Sequence, residues 1–218
     1  MIRALVFDFD GLILDTETPL IEAYGDVHEA HGIPFDRAVF VRCVGHAEYA
    51  FDAWAAFGAT ADRAALREEM LAFYEARTLR QPILPGVVAL MDAARAAGMK
   101  LALASNSKRD HCERHLRRLG LFDRFQLLAC YGEVPAPKPE PDLYRHAVNQ
   151  LGLRPVQAIA FEDSYTGSLA ARRAGLWVVV APNVSTSHHD LSHAHRRVAS
   201  LAEIDLAELC TAFASGHA

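Results

Sequence analysis

The chain has 218 residues, of which 51% are hydrophobic, and a formal net charge of −5. This length and apolar content allow a sizeable buried core, in one large domain or two small ones. The acidic balance gives no electrostatic basis for holding a nucleic-acid backbone, so we expect no nucleic-acid partner. The apolar runs are shorter than the roughly 20 residues of a membrane helix, so we expect no membrane partner either.

The cysteine pattern and the first residues predict a cytoplasmic location. No CxxC pair occurs, which favours inert thiols over a disulfide or a zinc site. The sequence enters an apolar, strand-like run at once, without the pattern of a secretory leader. The four cysteines are widely separated, at Cys43, Cys112, Cys130 and Cys210.

Five short apolar runs predict the strands of a sheet. They are apolar nearly throughout, as expected for a parallel sheet covered on both faces. Helical patterns separate them, and several of these end in a glycine suited to a left-handed cap. The alternation predicts an α/β fold, a Rossmann-like doubly wound parallel sheet. The runs are Ala4–Phe9, Lys100–Ala104, Gln126–Cys130, Ala158–Phe161 and Leu176–Ala181.

The region from residue 16 to residue 81 breaks this rhythm and contains no convincing strand. One amphipathic stripe runs from Leu20 to His31, and a second runs from Leu66 to Tyr74. Pro82 and Pro85 mark the return to the alternating pattern. We therefore predict an inserted all-helical domain over 16–81, with a core domain made of 1–15 and 82–218.

A pair of acidic residues follows the first predicted strand. Asp8 and Asp10 lie two residues apart, so on an extended chain both side chains point the same way. Gly11 supplies a bend directly after them. In α/β sheets the ligand crevice lies at the C-terminal ends of the strands. Residues 8–11 alone are equally consistent with an ordinary polar turn.

Polar residues at three other strand ends favour a functional site over an ordinary polar turn. Ser105 and Asn106 follow the second strand before a helix, where hydroxyls and free amides bind anions. Lys138 is held between prolines after the third strand, and Glu162-Asp163 follows the fourth. Acidic oxygens can hold a hard divalent cation, while the hydroxyl and the lysine can hold phosphate oxygens. The combination predicts phosphoryl transfer.

These four segments resemble the signature motifs of the haloacid dehalogenase superfamily, in the expected order from Asp8 to Ser164. The helical insert resembles the cap of the subgroup that holds β-phosphoglucomutase and many sugar-phosphate phosphatases. The resemblance implies a Mg²⁺-dependent phosphatase acting on a small phosphate ester, with a sugar or polyol phosphate as the expected substrate. We further expect a monomer or a weak homodimer.

The resemblance also implies roles for individual residues. Asp8 would be the nucleophile that becomes an aspartyl-phosphate. Asp10 would be the general acid and then the general base, with its backbone carbonyl on the metal. Asp163 would be a metal ligand, with Glu162 as a direct or indirect partner. Lys138 would tie the nucleophile to the phosphate.

The remaining expected contacts are with the substrate. Ser105 and the backbone amide of Asn106 would grip phosphate oxygens, and Gly11 is expected to lie against the substrate as well. In the insert, His46 is the predicted substrate contact. These assignments are carried over from the motifs and from a looser alignment of the insert.

Two other functions stay open. A β-phosphoglucomutase has a histidine where this chain has Leu20, and an arginine where Glu48 stands in the stretch Gly45-His46-Ala47-Glu48. Since Glu48 would repel a second phosphate, the sequence favours hydrolysis over the mutase reaction. A non-catalytic ligand sensor on the same fold is the third possibility, because a fold does not fix a function.

The histidines near residue 190 are a separate feature. His189 and His193 are four residues apart, a spacing that could hold a transition metal on a helix. The surrounding stretch is rich in Ser and Thr, so we expect a solvent-exposed connection rather than a metal site.

Overall fold

The computed structural model describes residues 1–43 and 52–214. Its centre is a six-stranded sheet in the order β3-β2-β1-β4-β5-β6, in which every neighbouring pair is parallel. The expected α/β fold is thus confirmed. The strands are β1 Ala4–Phe7, β2 Lys100–Ala104, β3 Leu127–Ala129, β4 Ala158–Glu162, β5 Trp177–Val180 and β6 Arg196–Arg197.

Eight α-helices accompany the sheet in the described part of the chain. Four of them lie between β1 and β2 in sequence. The first three belong to residues 16–81, and the other five cover the two faces of the sheet. The first three are α1 Glu17–Ala30, α2 Arg37–Cys43 and α3 Arg63–Thr78. The rest are α4 Val87–Ala96, α5 Arg109–Arg118, α6 Asp142–Gln150, α7 Tyr165–Ala174 and α8 Leu206–Ala214.

The alternation of side chains along β1 divides the core into two layers. Leu5 and Phe7 lie in an apolar cluster with residues of α4, α5 and α8. Ala4 and Val6 point to the opposite face, where residues of α6 and α7 pack. Every residue of β1 is buried, because helices cover both faces. β1 is therefore a central strand, and its C-terminal end lies between those of β2 and β4.

The helical ends follow the predicted glycine pattern. Gly98, Gly120, Gly152 and Gly175 all have positive φ, between 68° and 85°. Only Gly adopts this left-handed conformation without a steric penalty, so these positions end the preceding helices. This part of the sequence prediction is confirmed.

The predicted helical insert, residues 16–81, has an apolar cluster of its own. α1 packs against α3, and Trp54 belongs to the same cluster as Ile21, Val27, Leu66 and Met70. Rings of Tyr24 and Phe57 lie 5.0 and 5.7 Å from that of Trp54. The described residues of the insert contribute no strand to the sheet, as the sequence predicts.

The segment after β5 differs from the prediction. The Ser- and Thr-rich stretch around the histidines near residue 190 is predicted to be a solvent-exposed connection, but Ser185, Thr186 and His189 are buried. His189 Nδ1 accepts the backbone N–H of Tyr165 at the start of α7, at 3.2 Å. The segment therefore packs on the end of α7 and returns to the sheet as the short edge strand β6. His189 and His193 do not share a helix.

No helix in the described ranges combines the length and the apolar character needed to cross a bilayer.

Candidate active site

The C-terminal end of β1 carries Asp8, whose carboxylate is paired with Lys138. Lys138 Nζ lies 2.5 Å from Asp8 Oδ1 and 2.6 Å from Glu162 Oε1. Asp8, Lys138 and Glu162 are 7%, 5% and 0% exposed. Charges this deep are tolerated only when paired and hydrogen-bonded, so the three groups stabilise one another. The strand ends predicted to converge do converge here.

Glu162 is surrounded by hydrogen-bond donors. Besides Lys138, the Tyr144 hydroxyl donates to Oε1 at 2.5 Å, and Ser164 Oγ donates to Oε2 at 3.4 Å. Gly167 lies against the carboxylate, and a Cβ there would overlap its atoms. These contacts make Glu162 an anchor for Lys138.

Asp163 is held by a residue outside the predicted motifs. Asn183, in the loop after β5, donates through Nδ2 to Asp163 Oδ2 at 3.0 Å. The same Nδ2 contacts Glu17 Oε2 at 2.9 Å and the Gly11 carbonyl oxygen at 3.2 Å. Thr186 Oγ1 also donates to Asp163 Oδ2, at 3.4 Å. Asn183 thus connects the Asp163 carboxylate to the turn after β1 and to the first residue of α1.

One set of buried carboxylates could hold a metal ion. One oxygen each from Asp8, Glu162 and Asp163 lies within 4.8 Å of the others, and we call these three residues the acidic cluster. The Asp10 carboxylate is not part of this set. The predicted contact of the Asp10 backbone carbonyl with the metal stays a prediction. Hard cations such as Mg²⁺ prefer this all-oxygen donor set.

The titration behaviour of the cluster fits a cation. Burial raises the pKa of Asp8 well above its ordinary value, and nearby Glu162 and Asp10 add to the effect. Burial likewise raises the pKa of Asp163, helped by the charge of Glu17. Burial alone would lower the pKa of Lys138, but Asp8 and Glu162 hold it above its usual value. One ammonium against several buried carboxylates leaves an excess of negative charge that a divalent cation would offset.

Asp10 is the second acid of the predicted pair. Its Oδ2 accepts from Ser107 Oγ at 2.6 Å and from Ser105 Oγ at 3.4 Å. Its Oδ1 lies 3.3 Å from His111 Nε2. Burial would raise the pKa of Asp10, but hydrogen bonds from His111, Ser107 and Thr16 lower it below its ordinary value. These bonds favour the ionised carboxylate.

Asn106 binds the lysine loop through its side chain. Its Nδ2 donates to the Lys138 carbonyl at 3.1 Å, and its Oδ1 accepts the Lys138 N–H at 2.8 Å. This reciprocal pair joins the loops after β2 and β3. The predicted role of Asn106 concerned its backbone amide on phosphate, which stays a prediction.

The site opens into a cleft of about 290 Å³ lined by acidic, hydroxyl and lysine side chains. Gly11 lines a different, neighbouring cavity of about 600 Å³. Its φ of 79° and a Cβ position 2.5 Å from Asp163 Oδ2 explain why glycine stands there. A direct contact of Gly11 with substrate stays a prediction. His46, the other predicted substrate residue, lies outside the described residues.

Four further residues of the site had no separate sequence signal. Tyr144 lies in α6, where packing ordinarily explains a tyrosine. Ser107 lies just before α5, where helix capping ordinarily explains a serine. His111 lies one turn before His115, which the helical pattern places in the core. Asn183 stands in a loop far from the motifs in sequence. Only their positions around the predicted carboxylates reveal them.

Comparison with known proteins identifies the family. The profile of the haloacid dehalogenase-like hydrolases matches residues 2–175. A Bacillus subtilis protein named "Putative phosphatase YhcW" is 38% identical, with 96% of each chain covered. Hexitol phosphatase B of Escherichia coli K12 is 29% identical, over 83% of this chain and 84% of its own.

A solved structure agrees over the whole fold. The crystal structure of CbbY from Rhodobacter sphaeroides, in complex with phosphate, superimposes with a TM-score of 0.76 at 29% identity. The alignment covers 96% of this chain and 100% of that one. With the motifs gathered at one edge of the sheet, these matches confirm the resemblance seen in the sequence. The chain belongs to the haloacid dehalogenase-like hydrolase family.

Proposed function

We propose that the protein is a Mg²⁺-dependent phosphatase that hydrolyses a small phosphorylated sugar or polyol through an aspartyl-phosphate on Asp8. The observation that carries this proposal is the buried meeting of Asp8, Lys138 and the acidic cluster at the mouth of one cleft. A family of hydrolases and relatives named as phosphatases support an enzyme of this class. The sugar or polyol specificity is supported by the name of hexitol phosphatase B.

In the proposed reaction, Asp8 attacks the phosphorus atom and the bond between phosphorus and the ester oxygen breaks. Asp10 gives a proton to the departing alcohol, and then takes one from the water that cleaves the aspartyl-phosphate. Lys138 stays beside the Asp8 carboxylate and offsets the charge of the phosphoryl oxygens. The lowered pKa of Asp10 favours the ionised form, which is the form that takes a proton from water in the second step. That proton restores the acid form, which the first step requires.

The metal would be held by Asp8 and Asp163, with Glu162 beside them and the Asp10 backbone carbonyl as the further expected ligand. When bound, Mg²⁺ supplies positive charge that favours the ionised carboxylates and neutralises the phosphate oxygens. Glu162 already binds Lys138 and Tyr144, which supports an indirect role for its carboxylate.

We further propose that residues 16–81 act as a cap that covers the cleft and excludes water, on the core made of 1–15 and 82–218. Leu20, where the mutases of the family have a histidine, packs against the apolar cluster of the insert. An alkyl side chain here provides no polar contact, which supports hydrolysis over the mutase reaction. For the native state we expect a monomer or a weak homodimer in the cytoplasm.

A phosphate-release screen over phosphorylated metabolites, run with Mg²⁺ and with EDTA, tests the proposal. We expect turnover of sugar or polyol phosphates with Mg²⁺ only, and a loss of about 10³-fold or more in Asp8→Asn. Asp190→Asn is the matched control, because it removes an exposed carboxylate that accepts from the Ser192 backbone N–H rather than from a residue of the site. If no ester of the panel turns over, or if Asp8→Asn keeps wild-type activity, the proposed function is wrong.

A further inference from the structure

The carboxylate of Asp10 is held on both oxygens. Ser105 and Ser107, from the loop after β2, donate to Oδ2. Oδ1 faces His111 Nε2, which belongs to the first turn of α5. A carboxylate bonded on one oxygen can still rotate about its Cβ–Cγ bond, whereas contacts on both oxygens fix its plane. His111 therefore supplies the restraint that the serines do not supply.

The ring of His111 is itself fixed from two sides. It meets the Phe9 ring edge-on, with centroids 5.7 Å apart at 87°. On the other side lies His115, at 4.7 Å. The His111 side chain is only 21% exposed. Such packing prevents the imidazole from swinging into solvent, so Nε2 stays directed at Asp10.

An ionised carboxylate can only accept hydrogen bonds, so His111 must donate from a protonated Nε2. In the acid form of Asp10 the same donor can bind Oδ1 while the proton to be transferred lies on Oδ2. Both the neutral Nε2–H tautomer and the charged imidazolium satisfy that condition. The geometry therefore gives His111 a positioning task that is independent of its charge.

We propose that His111 is a positioning residue for proton transfer by Asp10: it holds the carboxylate in the plane from which Asp10 protonates the leaving alcohol. The inference rests on the proposed function, in which Asp10 is the general acid. None of the four motif segments contains His111.

The test compares two substrates that differ in their need for a proton. An alkyl phosphate has a poor leaving group and depends on the general acid, whereas p-nitrophenolate departs without one. The ratio kcat/KM reports the steps up to alcohol release, so it isolates this proton transfer from the later hydrolysis of the aspartyl-phosphate. The substrates are p-nitrophenyl phosphate and the alkyl phosphate that the wild-type enzyme hydrolyses fastest.

Two variants of His111 form a matched pair. His111→Phe keeps an aromatic ring against Phe9 and His115 but removes the nitrogen. His111→Gln returns an N–H donor at a similar reach from the backbone. We expect His111→Phe to lower kcat/KM about tenfold for the alkyl ester, and less than about threefold for the aryl ester. His111→Gln should recover most of the alkyl activity.

Equal losses on both esters, or no loss on either, would overturn the inference, as would a glutamine variant no better than phenylalanine. Circular dichroism and melting curves show whether each variant folds. Asp10→Asn gives the reference pattern, with a loss concentrated on the alkyl ester. If wild type hydrolyses neither ester, the proposed function fails. If Asp10→Asn loses no more activity on the alkyl ester than on the aryl ester, Asp10 is not the general acid. Both outcomes are seen without the His111 variants, so they can be told apart from a failure of the His111 inference itself.

Discussion

Charged side chains are buried at the core site, whereas in the helical insert they lie on the surface. At the strand ends, Asp8, Lys138 and Glu162 are buried and joined by short hydrogen bonds. In the insert, aromatic and aliphatic side chains fill the interior, and ion pairs such as Arg63–Asp52 lie on the surface. Buried charges demand fixed geometry, whereas surface pairs contribute little. The core thus holds charged side chains in fixed positions, whereas the insert packs around an apolar cluster of its own.

Removing Lys138 should give the largest effect, and it tests whether the buried charges of the core depend on one another. Lys138→Met leaves the acidic cluster without its ammonium partner, so we expect phosphatase activity to fall about 10³-fold or more. In EDTA, the free energy of unfolding should fall by about 3–5 kcal/mol because carboxylates stay buried and unpaired. Urea denaturation and phosphate release measure the two effects.

The double variant Lys138→Met/Glu162→Gln is the control for charge. It should regain part of the stability but none of the activity. A stable Lys138→Met single variant would show that the acidic cluster does not depend on its ammonium partner.

Cutting into the centre of the insert should give a loss of stability confined to that region. Trp54 is 7% exposed and packs against Tyr24 and Phe57. Trp54→Ala should cost about 3–5 kcal/mol locally, through lost burial and the cavity left behind. Hydrogen exchange should quicken in α1 and α3, while β1, β2 and β4 stay protected.

The matched change in the core is Phe161→Ala, which removes a buried ring in β4 that stacks on Phe7 at 5.2 Å. It should quicken exchange across the sheet. Uniform exchange throughout the molecule in Trp54→Ala would contradict two separately packed units.

A gain of stability is expected at His115, a polar residue within the apolar core. It is 1% exposed, and neither ring nitrogen has a hydrogen-bond partner in the described part of the protein. Burial lowers the pKa of His115 to about 4, below the roughly 6.5 of an unfolded chain. The unfolded chain therefore binds more protons between these values, so stability falls as the pH drops from about 6.5 towards 4.

His115→Leu should remove both penalties. We expect about 1–3 kcal/mol of added stability, from the loss of the unpaired nitrogens. The gain should be larger at pH 5 than at pH 8, as melting temperatures at the two pH values would show. A gain that does not change with pH would mean that His115 titrates normally in the folded state.

The smallest effect should come from the contact between the two regions. Arg114 of α5 forms an ion pair with Glu75 of α3, and the two side chains are 48% and 50% exposed. Arg114→Gln should change the free energy of unfolding by less than about 1 kcal/mol. A larger loss in low-salt urea titrations would show that this pair joins the insert to the core more firmly than its exposure suggests.

The sequence predicts the interior of the sheet well, because continuous apolar runs and glycine caps are local signals. The run Ala158–Phe161 and the strand β4 agree to within one residue. β6 was not predicted, since Arg196 and Arg197 form a strand only through their pairing with β5. The burial of His189 follows from packing on α7, which no local pattern encodes.

The site shows the same division. Motif residues such as Asp8 and Lys138 could be identified because their order along the chain is specific. Asn183 and Tyr144 orient the Asp163 and Glu162 carboxylates. They come from a loop and a helix, and their residue types are ordinary for those places. Their role depends on distances across the sheet, and those appear only in three dimensions.

The reciprocal amide contact between Asn106 and Lys138 has a consequence for the charge on Asp8 in the proposed reaction. Lys138 is fastened at its main chain, through its own N–H and carbonyl, rather than solely at the tip of its side chain. The charge on Asp8 can therefore change while the loop that delivers the ammonium group keeps its place. A scaffold of this kind stays poised between turnovers, and little free energy is lost to rearranging it.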